Sequence, residues 1–133
     1  MMSWAVILAT SLFGCSGPAM TPARTDPTVE LKMAMRKLWE EHITYTRNYI
    51  ISALANLENA TPVAERLMQN QDDIGAAIKP YYGEEAGNKL AALLRDHIQI
   101  AAEVVTAAKG GNADSLAASQ AKWTANGKDI AAS

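Results

Sequence analysis

The chain has 133 residues, 49% of them apolar and 20% charged, with five Pro, eight Gly and a single Cys. That length fits one small domain with one core. Twelve Lys and Arg against fourteen Asp and Glu give a net charge of -2, so no basic surplus draws nucleic acid, and one cysteine excludes both a disulfide framework and a cysteine-based zinc site.

No charged side chain precedes Arg24, and the apolar stretch from Trp4 to Phe13 is too short to span a bilayer but has the length of a signal-peptide core. It ends in Leu12-Phe13-Gly14-Cys15, which resembles the lipobox of bacterial lipoproteins. The resemblance implies cleavage before Cys15 and lipid attachment to its thiol. Residues 1–14 are then a lipoprotein-type signal peptide, and the protein is exported and membrane-anchored, facing the periplasm or the cell exterior. An ordinary secretory signal with a chance cysteine is the alternative. Residues 15–27, with three of the five prolines, read as a flexible tether, and residues 28–133 as the domain.

From Thr28 the apolar residues recur at helical spacing. Leu31, Met35, Leu38, His42, Tyr45, Tyr49, Ala53 and Leu57 form one stripe, and Trp39, Ile43, Ile50 and Leu54 widen it to the face a bundle helix buries. Thr61-Pro62 opens a second helix that carries Val63, Leu67, Ile74 and Ile78, with Pro80 as its stop. A third begins near Glu84, holds Leu90, Leu94, His97, Ala101 and Val104, and ends at Gly110-Gly111. A fourth starts at Asn112 or Asp114 and carries Leu116, Trp123 and Ile130. The expected fold is an all-α, up-and-down bundle of four helices.

The helices read as two related hairpins. Leu38-Trp39-Glu40-Glu41-His42-Ile43 lines up with Leu93-Leu94-Arg95-Asp96-His97-Ile98, and Asn70-Gln71-Asp72-Asp73-Ile74 with Asn126-Gly127-Lys128-Asp129-Ile130. The second unit stops at Ser133 without an equivalent of Pro80-Tyr81-Tyr82-Gly83, and its last helix is rich in Ala and Ser. The expectation is that the chain is shortened there or that this helix frays. A shortened bundle would leave an apolar groove for a second chain, and hence a homodimer.

LWEEH (38–42), NQDDIGAAIKPYYG (70–83) and LLRDHI (93–98) together resemble a family of small exported bacterial and archaeal helical proteins. The resemblance covers residues 31–130. It implies a helical fold and an exported location, and lends no catalytic residues.

His42 and His97 are the only histidines and hold matching places in the two hairpins. Two buried, hydrogen-bonded histidines are the plain reading, with Asn70 and Asn126 as neighbours for His97. The alternative is a metal or haem bound at separate sites, with Tyr45 or Tyr49 nearby. Trp39 and Leu94 stand where a Glu-x-x-His pair would need carboxylates. Turns centred near Asn59-Ala60 and Tyr82-Gly83 would separate the histidines by roughly 13 Å in height, too far for one ion.

The same count sets Asp73 opposite Arg47 as an interhelical ion pair. Acid–base catalysis by Asp73 and Asp129 would need a cleft and a raised pKa that the sequence does not display. Tyr81 and Tyr82 are expected to fold back over the bundle end, or otherwise to stack on a ligand or partner. Met33, Met35 and Met68 are too scattered for a copper site. The expected function is therefore non-enzymatic binding of an envelope protein or small ligand, with no cofactor and no nucleic acid.

Overall fold

A computed structural model describes residues 26–133. Four helices follow in order: α1 (Pro27–Ala55), α2 (Ala60–Tyr82), α3 (Glu84–Lys109) and α4 (Ala113–Ala132). The fold is an all-α, up-and-down bundle, and each helix packs chiefly on its neighbour in the chain.

The local signals account for most boundaries. Asp26 caps α1, its carboxylate accepting from the Thr28 N–H at 2.8 Å, with Pro27 in the first turn. The domain therefore begins two residues before the expected start, inside the segment read as tether. α1 ends where Asn56 turns left-handed (φ 54°), a conformation asparagine tolerates. α2 starts at Ala60, so Thr61 and Pro62 lie inside its first turn and Thr61 is not the cap. Pro80 sits within α2 and does not stop it. The stop comes at Gly83, whose φ of 90° only glycine adopts at ease. Asn112 caps α4 through the Ser115 N–H, and α4 runs for 20 residues to Ala132.

α2 and α3 form the centre. Among the described residues Leu67, Ile74, Leu94 and Ile98 are the buried apolar side chains, and all four lie on these two helices. Gly75 and Gly87 let the backbones meet: a Cβ on Gly75 would lie 2.5 Å from the Gly87 carbonyl oxygen. α1 lies on α2 and grazes α3, whereas α4 rests on α3 alone, approaching neither α1 nor α2. The bundle is open between its first and last helices. In consequence Trp39, Ile43, Ile50 and Leu54, expected to widen the buried face of α1, are exposed. Leu38, His42, Tyr45 and Tyr49 do turn inward. No helix among the described residues is long and apolar enough to cross a membrane. Cys15 and the signal and lipobox reading lie outside the described residues.

Candidate functional site: two histidine–amide centres

The duplicated hairpin is visible in its hydrogen bonds. In the first unit, Asn70 of α2 donates from Nδ2 to the Leu38 carbonyl of α1 at 3.0 Å. In the second, Asn126 of α4 donates from Nδ2 to the Leu93 carbonyl of α3 at 3.1 Å. Each carbonyl stands one turn before a histidine, so each hairpin clasps its histidine beside the same interhelical bond.

The two centres then diverge. Asn126 spends its N–H on Leu93, so its Oδ1 faces His97 Nδ1, 2.6 Å away, and must accept. His97 thus carries its proton on Nδ1 and keeps a lone pair on Nε2. In the first centre the partner is Gln71. Its Nε2 donates to the Leu67 carbonyl at 2.7 Å, which fixes the amide, and lies 3.2 Å from His42 Nδ1. His42 therefore accepts at Nδ1 and bears its proton on Nε2, the opposite tautomer. Burial holds the His42 pKa below its ordinary 6.5.

Tryptophan lines both centres, from unrelated repeat positions. Trp39 meets His42 edge-on at 5.0 Å between ring centroids, whereas Trp123 of α4 stacks on His97 at 4.7 Å. An ion cluster flanks the first centre: Arg66 reaches Glu41 at 2.7 Å and Asp73 at 3.5 Å and lies over the Tyr45 ring. Neither Gln71 nor Arg66 was expected here. Gln71 neighbours Asn70 in sequence, roughly 100° round the helix, so periodicity could not assign both to one site.

The histidines lie at one level, correcting the expected height difference. Leu38, Glu41 and His42 engage Asn70, Arg66 and Gln71. Asp72 engages Arg95 at 2.6 Å, two residues before His97. Both histidines are thus level with Asn70 and Gln71. The turn supplies about half of the change: α1 stops at Ala55, which moves the centre of the first turn from Asn59-Ala60 back to Leu57-Glu58 and the opposing register by about 6 Å. The same shift removes the Arg47–Asp73 pair. Asp73 is held by Arg66 and by Gln69 at 3.1 Å, while Arg47 rims a shallow recess of about 510 Å³ with His42, Ile43 and Ile50.

Other expected sites are placed plainly. Among the described residues no group of three or more His, Cys, Asp or Glu side chains converges as a metal cage. Asp73 and Asp129 stand on α2 and α4, which do not approach one another, so they share no cleft. Tyr81 and Tyr82 are exposed at the end of α2 and do not fold back over it. Tyr49 lines a cleft of about 610 Å³ whose wall carries the Asp72–Arg95 pair.

No protein-family model, curated protein or solved structure matches the chain. The family resemblance therefore rests on the strings LWEEH, NQDDIGAAIKPYYG and LLRDHI alone.

Proposed function

We propose that the protein is a non-enzymatic interaction module of the cell envelope, anchored by lipid at Cys15 and presenting the outer face of α1. The observation that carries this reading is that face: Trp39, Ile43, Ile50 and Leu54 are large, apolar and uncovered along one helix. Isolated exposed apolar residues are ordinary, but a continuous stripe of them marks a binding surface. The histidine centres support the same reading, because their Nδ1 atoms serve to clasp helix to helix.

Two measurements test it. Fractionation of cells making the full chain should place wild type with membranes and Cys15→Ser in the soluble fraction; a Ser variant that stays with membranes refutes the anchor. A photo-crosslinking residue at position 43 should give a discrete adduct in the envelope, whereas one at Thr44 should not. Equal labelling from both refutes α1 as the binding face.

A second reading, a metal or haem held by His42 and His97, is favoured by their common level and by the lone pair at His97 Nε2. Against it, His42 would have to exchange its bond to Gln71 for the metal. Metal analysis and a visible spectrum of wild type beside the His42→Ala/His97→Ala double variant decide it. Stoichiometric metal or a haem band lost in the variant would favour this reading, and an empty, colourless wild type would eliminate it.

A further inference from the structure

We propose that the outer face of α1 pairs antiparallel with the same face of a second copy, about a two-fold axis near Thr46 and Arg47. This rests on the interaction-module reading and names its partner.

α1 has two apolar faces about a quarter-turn apart. Leu38, His42, Tyr45, Tyr49 and Ser52 turn toward α2 and α3. Trp39, Ile43, Ile50 and Leu54 recur along the exposed side at steps of four, seven and four, a spacing that lets helices pair along their length, with Thr46 half-buried between them. Such a seam asks for another helix, and none among the described residues covers it: α4, the remaining candidate, lies against α3 and does not approach α1.

The seam is self-complementary when reversed, as a two-fold axis requires. About a centre between Thr46 and Arg47, Trp39 falls toward the partner's Leu54 and Ile43 toward the partner's Ile50. Arg47 flanks the axis, and its long stem lets the guanidinium turn to solvent.

The area is of the right size. Trp39, Ile43, Ile50, Leu54 and the adjoining Leu57 are between 37% and 66% exposed. At roughly 200 Å² per large side chain, they present about 500 Å² of apolar surface. With the stems of Arg36, Arg47 and the neighbouring Ile51, the face approaches the ~800 Å² per partner of a stable interface.

The test uses the full chain carrying Cys15→Ser, sized by light scattering and oxidised after single cysteines are introduced. Wild-type sequence at α1 should give twice the chain mass. Arg47→Cys, beside the axis, should form a disulfide-linked dimer. Leu54→Cys should not, because antiparallel pairing sets the two copies of position 54 roughly 22 Å apart along the helix. Thr44→Cys, on the polar side, should not cross-link either. Ile43→Glu/Ile50→Glu should halve the mass while leaving the helical circular dichroism unchanged, since both side chains are exposed.

Single-chain mass at the highest soluble concentration overturns the proposal, as does a dimer that survives Ile43→Glu/Ile50→Glu. Efficient cross-linking at Leu54→Cys, the mark of parallel pairing, overturns it too. A monomer whose position-43 probe still gives a discrete adduct with another envelope protein refutes the dimer and leaves the interaction module standing. A monomer with no adduct removes both.

Discussion

Asn126→Ala tests how α4 is held. This side chain donates to Leu93 O at 3.1 Å and accepts from His97 at 2.6 Å, linking α4 to α3 twice. Each such bond contributes about 1 kcal/mol net, so the substitution should cost α4 about 2 kcal/mol. That is a large share of what holds this helix, because its buried residues are Ser119 and Asn126, both polar, and it rests on α3 alone. The loss should therefore be local: α4 opens while α1, α2 and α3 stay folded. Native-state hydrogen exchange reads this directly. Amides of α4 should exchange roughly 30-fold faster, the factor corresponding to 2 kcal/mol, and those of α2 and α3 should keep their protection. Asn70→Ala, at a fully buried position between α1 and α2, should instead lower protection throughout. Unchanged α4 protection in Asn126→Ala, or an equal loss across all four helices, would refute the reasoning.

Three further outcomes follow from the same geometry. Gly75→Ala should destabilise the whole bundle by about 1–3 kcal/mol in urea titrations, because the new methyl would meet the Gly87 carbonyl and Ala91 and force α2 from α3. Gly127→Ala should stabilise α4 by about 1 kcal/mol, read as slower α4 exchange, since its Cβ would enter open space within a helix. Thermal stability should be level above pH 6.5 and fall as pH drops below it toward the lowered His42 value. The unfolded chain takes up the proton first there, and protonated His42 Nδ1 would face the Gln71 N–H that it now accepts. His42→Gln should flatten that decline; a Tm that rises on acidification through this window would contradict the assigned His42 environment.

The local elements were legible in the order of the residues. Apolar residues three and four apart, Gly83 and Gly110-Gly111 at the turns and Asn112 as a cap dictate four helices through short-range chemistry, whereas the Asp26-Pro27 cap reads in sequence as tether. The duplication was legible as well, because Leu38, His42 and Asn70 recur as Leu93, His97 and Asn126, and in both units the asparagine bonds the leucine carbonyl. What faces what was decided by tertiary structure. The level of His42 with His97, and the pairing of Asp73 with Arg66 in place of Arg47, depend on where α1 stops. A shift of two residues in one turn changes every opposing pair along two helices. The exposed stripe of α1 was likewise beyond a one-dimensional reading. Periodicity marks Trp39, Ile43, Ile50 and Leu54 as an apolar face, but whether a helix of the same chain covers that face depends on where α4 docks. It docks on α3, through Asn126 and Trp123, and the face of α1 stays open.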